Sequence, residues 1–406
     1  MSNHVHEDNL RIPEIRLGPK AASVERIAGV VGGLGALLCV AGFFYNRAYF
    51  FQSFLFAFLY WGGFTIGGLG ILMLNHTVGG RWGVTSRRYL EAAMRTLPFF
   101  FVLFVILLIG LKDIYPWTHI DTVSNPISRA ILQHKAPYLN VPFFLVRAAI
   151  YFAVWAFWGY RVFKMADQHD RTGDPTLLDR MRAFSAPGCL VVTLTATFAY
   201  IDWLLSADAQ FFSTIYGAML LFGDVLQTFA LVITVLILTS KGDRFGGRIN
   251  SVVLHDLGNM MFAFTIFWTY LSVSQLIIVW PANLPQELSW YLVRVRGGWT
   301  VVAALVSLTM FLIPFLGLLS QTRKRDPKRL IRVAVWILCA RAVDLFWVVE
   351  PTFRTKGFAI YWTDFAAFIG IGGIWLYLYL GNLRQRPLLP LRDPRVMHPL
   401  PEEVAA

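Results

Sequence analysis

A chain of 406 residues that is 56% hydrophobic and only 15% charged carries far less charge than the roughly 25% typical of a soluble domain. Its apolar residues come in runs of about 20, the length that crosses roughly 30 Å of hydrocarbon, which excludes a single water-soluble core and predicts an integral membrane protein. The net charge of +12 has the sign of a nucleic-acid binder, but most of it lies in the connections between apolar runs, where it reports topology instead.

Residues 1 to 23 are polar and lack an apolar signal core. No cleaved leader is expected, and the first apolar run serves as its own insertion signal. Ten runs follow, near residues 24–46, 50–75, 89–112, 140–164, 183–206, 212–240, 256–281, 298–320, 331–350 and 359–382. None shows the apolar/polar alternation of barrel strands, and a lipid-exposed backbone must satisfy its own hydrogen bonds, so all ten are predicted as helices. The expected fold is therefore all-α, with a ten-helix membrane domain over 24–382 between polar tails at 1–23 and 383–406. Alternate connections, including the run "QTRKRDPKR", hold most of the Lys and Arg, against eight in the opposite loops. The asymmetry puts both termini in the cytoplasm.

Along the chain, Gly29 with Gly33 and Gly63 with Gly67 form small-xxx-small pairs that let helices approach closely. Helix three begins with Glu91 and Arg95, four residues apart and able to pair. The connection from 113 to 139 carries Pro116, Trp117, His119, His134 and Pro137; it reads either as an interfacial lid with its Trp at headgroup level or as an ordinary loop.

Ionisable residues within the spans cost at least a few kcal/mol each, which makes them site candidates. Arg147 in helix four and Asp202, beside Trp203 in helix five, approach the same outer level and could pair or line a cavity. Asp224 and Gln227 lie three apart in the middle of helix six. Helix seven starts with His255 and Asp256 and carries Thr265, Thr269, Ser272 and Gln275 on one broad face, which serves either interhelical hydrogen bonding or a proton path. In helix nine Arg341 lies roughly 15 Å from the start at 1.5 Å per residue, and Asp344 shares its face. The pair either orders the bundle or takes part in function.

The acids hint at a repeat. Helices five and nine end with acids six residues apart, Asp202 and Asp208, then Asp344 and Glu350; helices three and seven begin with Glu91 and Asp256. The spacing suggests a duplicated four-helix unit, helices 2–5 and 6–9, flanked by helices 1 and 10. The cysteines, Cys39, Cys189 and Cys339, show no CxxC spacing, and all eight histidines lie in tails, loops or helix ends. No haem, metal or directly bound cofactor is expected.

Several stretches together, "LNHTVGGRWGVTSRRYLEAAMRTLP" (74–98), "YIDWLLSADAQFFSTIYG" (200–217), "HDLGNMMFAFTIFWTYLSVSQLIIVWPANLPQELSWY" (255–291), "DLFWVVEP" and "RPLLPLRDPR", resemble the F subunit of bacterial alternative complex III, within the NrfD-like, polysulfide-reductase-type membrane subunits. The resemblance implies two four-helix bundles, a place in the bacterial cytoplasmic membrane, and a complex that oxidises quinol such as menaquinol. It also implies partners: an NrfD-like C subunit, an iron-sulfur subunit, haem c subunits and small membrane subunits, besides lipids and without nucleic acid. The redox centres belong to those partners. The expected role is assembly plus proton half-channels, with His76, Glu91, His255 and Asp256 on the cytoplasmic side and Arg147, Asp202, Asp224, Arg341 and Asp344 toward the middle and outside. One alternative is a quinol pocket at Asp202, Trp203 and Arg147, where the carboxylate would accept a quinol proton. Another is a stand-alone secondary transporter.

Overall fold

The computed structural model describes residues 14–240, 245, 249–390 and 392–393. Most of the two expected tails, with His4, His6 and His398, lies outside the described residues, as do Lys241, Arg244 and Arg248 of the 241–254 connection. Every regular element among the described residues is helical. Nine of the helices are long and apolar enough to cross a membrane: α1 (Pro19–Tyr45), α2 (Arg47–Val78), α3 (Arg81–Ile109), α4 (Val141–Thr172), α5 (Thr176–Trp203), α6 (Tyr216–Thr239), α7 (Ser251–Ala282), α8 (Trp299–Leu319) and α10 (Trp362–Arg384). The protein is an all-helical, multi-pass membrane protein. Between α8 and α10, helix α9 (Pro327–Val349) has 23 residues and so the length to cross, about 35 Å. It falls outside the nine because it carries Lys328, Arg329, Arg332, Arg341 and Asp344.

The helix starts are written locally. Asn46, Asn140, Asn250 and Asp326 each turn a side-chain oxygen onto the first free backbone N–H groups of α2, α4, α7 and α9, which satisfies donors that no helical carbonyl can reach. Helix α3 bends at Arg95 and Thr96, where the Thr96 hydroxyl donates to the Ala93 carbonyl at 2.6 Å just before Pro98. Helix α8 widens to π turns over Ser307–Leu312, immediately ahead of Pro314, whose missing N–H and ring disturb the ladder.

Two helices form the centre. Helices α2 and α6 are buried over 89% and 83% of their apolar stretches, as expected for helices apolar all round. Helix α2 packs against α3, α5, α6 and α10, and α6 against α2, α5, α7 and α9. Helix α1 leans almost wholly on α10 and exposes Ile27, Val30, Leu34, Leu37 and Phe44, a surface suited to lipid tails.

The α1 contact matches the expected pair in part: a Cβ on Gly29 would lie 3.1 Å from the Tyr377 ring of α10. A Cβ on Gly33 would meet nothing within 4 Å, whereas one on Gly35 would lie 2.3 Å from Gly370 Cα and one on Gly32 2.5 Å from the Ile374 nitrogen. Gly63 and Gly67 do face a neighbour, the Asp224–Thr228 turn of α6. The 113–139 connection also departs from an interfacial lid: Trp117 is buried and its Nε1 donates to Ser206 Oγ at 3.2 Å. With Tyr115 bonded to the Trp203 carbonyl at 2.8 Å, this segment is docked on the end of α5.

Candidate functional site

Among the described residues, four clusters of buried ionisable side chains stand out, and they differ in how their charges balance. At the centre, Arg341 on α9 donates to Asp344 one turn on, to Asp224 Oδ1 on α6 at 3.2 Å and to the Leu220 carbonyl at 3.1 Å. Tyr200 of α5 donates its hydroxyl to the other Asp224 oxygen, and Gln227 Nε2 donates to the Tyr60 carbonyl of α2 at 3.1 Å. Arg341, Asp224 and Asp344 are at most 2% exposed. Small residues make this possible: a Cβ at Gly223 would lie 2.4 Å from the Arg341 Cζ. Two carboxylates share one guanidinium, so the cluster holds an excess negative charge unless one carboxylate carries a proton. A buried unit charge without a counterion is expensive.

Asp344 also lines a cavity of ≈ 290 Å³ walled by Trp268, Thr269, Ser272 and Gln275 of α7 and by Ser307 in the π turns of α8. Its Oδ2 accepts from Arg341. The helix-seven polar track thus divides. Thr265 and Thr269 donate back to their own helix at 2.8 Å and Ser272 at 2.9 Å, and Gln275 Oε1 accepts from Ser213 Oγ at 2.5 Å, while Thr269, Ser272 and Gln275 line the cavity.

The second cluster is balanced. Arg147 Nε and Nη2 donate to the two oxygens of Asp202 at 2.8 and 3.0 Å, and Tyr151 donates to the same carboxylate at 2.8 Å. The guanidinium stacks 3.8 Å from the Tyr138 ring centre. Trp203 packs against Phe100, Phe104, Phe152 and Trp155. One cation meets one anion within hydrogen-bonding geometry, an arrangement that ties α4 to α5.

The third cluster lies just beyond the C-terminal end of α9. Arg354 reaches Glu350 at 2.9 Å and Asp364 at 2.6 Å, and Asp364 also accepts from Ser53 at 2.6 Å and from the Tyr361 backbone N–H at 2.8 Å. Here too two carboxylates share one guanidinium. Burial pushes the Glu350 carboxyl up to about 8; Arg354 opposes the rise and Asp364 adds to it.

The fourth cluster sits at the opposite, basic end. Glu91 is held by Arg87 at 2.9 Å and Arg88 at 2.8 Å, Arg88 reaches Asp170 at 2.5 Å, and Arg386 closes onto Asp167. Arg171 also pairs with Asp167 at 2.9 Å, so four guanidiniums meet three carboxylates. Arg95, expected beside Glu91, instead donates to Gln385 at 2.6 Å and stacks on Phe163. The four residues expected along one cytoplasmic path fall in two groups. His76 lies 3.2 Å from Ser185 Oγ on the α2/α5 side, near the Glu91 cluster, while His255 and Asp256, 4.0 Å apart, start α7 beside Asn259, to which Lys324 donates at 2.6 Å.

Sequence reasoning passed over Tyr200, Arg354 and Asp364. Tyr200 lies two residues before Asp202, a signal that an acid-neighbouring Tyr inside a span needs a partner. Arg354 lies in a connection and so escapes a search for charges within spans, and Asp364 is the third residue of α10, where it caps the helix. Comparison with protein-family models and with curated proteins yields no match for this chain.

Proposed function

We propose that the chain is a redox-centre-free membrane subunit of a quinol-oxidising electron-transfer complex, of the kind of the F subunit of bacterial alternative complex III. In this reading α9 is a tenth span. Helices α2–α5 and α6–α9 form two four-helix bundles flanked by α1 and α10, with both termini in the cytoplasm of a bacterial membrane. The C subunit, the iron-sulfur and haem c subunits and the small membrane subunits are its partners.

Within that complex the chain binds and passes protons. The observation that carries this reading is the two-carboxylates-to-one-guanidinium ratio around Arg341, with Asp344 on a cavity wall. A proton arriving at Asp344 cancels the excess charge while Arg341 stays protonated, and loss of that proton restores it, so the cluster alternates between two states that differ by one proton. The Arg354 cluster repeats the ratio at the end of α9 and offers a second station toward the outside. The Arg147–Asp202 pair, already neutral and with both carboxylate oxygens engaged, supports a structural role rather than a quinol pocket.

The test is Asp344→Asn in the intact complex in its native membrane. Quinol oxidation should persist while protons moved per electron fall. Unchanged proton movement rejects the proton role, and a chain that purifies without haem c and iron-sulfur polypeptides and moves a solute in liposomes rejects the complex.

A further inference from the structure

A cavity of ≈ 210 Å³ opens at the basic end, where the end of α2, the start of α3 and the start of α5 meet. His76 and Val78 of α2, Arg87 of α3, and Leu178, Asp179 and Arg182 of α5 line it. Arg87 is only 1% exposed. Its Nε is engaged by Glu91 at 2.9 Å, but its Nη2 is buried without a hydrogen-bond partner among the described residues. A buried guanidinium donor left unmade costs more than an ordinary hydrogen bond contributes, and this one belongs to a side chain on a cavity wall. Arg182 stands exposed at the same cavity.

The chemistry of this lining is that of an anion site. Arg87, Arg182 and His76 face one carboxylate, Asp179, in the lining. Glu91 engages only the Nε edge of Arg87, the cluster behind it holds four guanidiniums to three carboxylates, and a guanidinium fork matches the spacing of phosphate oxygens. Val78 is 69% exposed and, with Leu178, gives the same opening an apolar side. A phosphate joined to an apolar chain satisfies both halves, and basic pockets between spans at this level suit lipid headgroups.

We propose that this cavity binds a phosphate group, supplied by the headgroup of an anionic membrane lipid. The site lies apart from the two clusters on which the proton reading rests, since neither Asp344 nor Glu350 lines it; of the residues expected along a proton path, His76 does.

Native mass spectrometry of the full-length chain in detergent tests it with phosphatidylglycerol, phosphatidylcholine and inorganic phosphate as probes. Phosphatidylglycerol should be retained over phosphatidylcholine, and Arg182→Gln and Arg87→Lys should each weaken it by about tenfold, the scale of one charge-assisted hydrogen bond. Circular dichroism of the same samples shows whether each variant folds, and Arg182, being exposed, is the variant that leaves the core untouched. Displacement by inorganic phosphate at equal concentration would keep the phosphate site and reject the lipid as its source. Equal binding of phosphatidylglycerol by wild type and a folded Arg182→Gln variant, or equal retention of phosphatidylcholine, overturns the proposal.

Discussion

Arg341 Nη2 lies 3.2 Å from Asp224 Oδ1, so a guanidinium on α9 is anchored to a carboxylate on α6, and Tyr200 extends the link to α5. One side chain thereby holds three helices at the centre of the protein. Arg341→Met should destabilise the protein by about 3–5 kcal/mol, the cost of leaving buried carboxylates without their partner. A thermal unfolding series on the detergent-solubilised chain reads this directly. Adding Asp224→Asn and Asp344→Asn to the same variant should recover part of the loss. If the triple variant melts below the single one, charge is not what the arginine neutralises.

The balanced pair predicts a different pattern. Asp202→Asn strands Arg147 and should cost stability on the same scale of about 3–5 kcal/mol, while protons moved per electron stay at the wild-type value. Replacing both partners together, Arg147→Met with Asp202→Leu, should cost less than the single change, because a well-packed apolar pair often substitutes for a buried salt bridge. Unfolding midpoints and proton release measured on the same preparations separate the two roles. A proton defect in a folded Asp202→Asn variant would return this pair to the list of functional groups.

Much of this was legible along the chain, and the failures have physical causes. Pairing at i, i+3 is local, so Arg341 with Asp344 and Asp224 with Gln227 could be read from spacing; that Arg341 also reaches Asp224 depends on the rotation of α6 against α9, which no spacing encodes. Arg147 and Asp202 were readable because consecutive antiparallel helices bring like depths together. The same i, i+4 rule allows Glu91 to pair with Arg95, yet in the fold Glu91 goes to Arg87 and Arg88, on the preceding turn, where Asp170 and Arg386 add to the cluster. The rule gives candidates on both sides of a residue, and tertiary neighbours choose. Loop context leaves Trp117 open to an interfacial lid or an ordinary loop, and neither shows that Ser206 and Phe144 give it a buried seat.

Helix approach makes a prediction with an internal control. A Cβ at Gly63 would lie 2.3 Å from Gln227 Nε2 and 2.6 Å from Asp224 Oδ1, so Gly63→Ala pushes α6 away from α2 and strains the Arg341 cluster. The expected loss is about 1–3 kcal/mol, typical of overpacking. Gly33→Ala, with open space around the new methyl, should be neutral or stabilise by about 0.5–1 kcal/mol through helix propensity. Unfolding midpoints of the two variants should therefore move in opposite directions or differ clearly; a shared response would show that α2 and α6 do not depend on this approach.

The Glu350 cluster gives the pH dependence. Its carboxyl is pushed up to about 8 from an ordinary 4.5, chiefly because burial disfavours the charged form. Between those two values the unfolded chain has released the proton that the folded chain still holds, so the unfolded state binds fewer protons and stability falls as pH rises. Below 4.5 both states are protonated, and above about 8 both are ionised; the contribution is fully present at the low end and lost at the high end. Glu350→Gln removes this slope. Its unfolding midpoint should stay flatter than wild type from pH 5 to 8, within that window, and should lie above wild type at the alkaline end, where the native carboxylate shares Arg354 with Asp364. Parallel pH profiles for the two proteins would mean that Glu350 is ionised in the folded state throughout, with Arg354 alone sufficient to hold both acids.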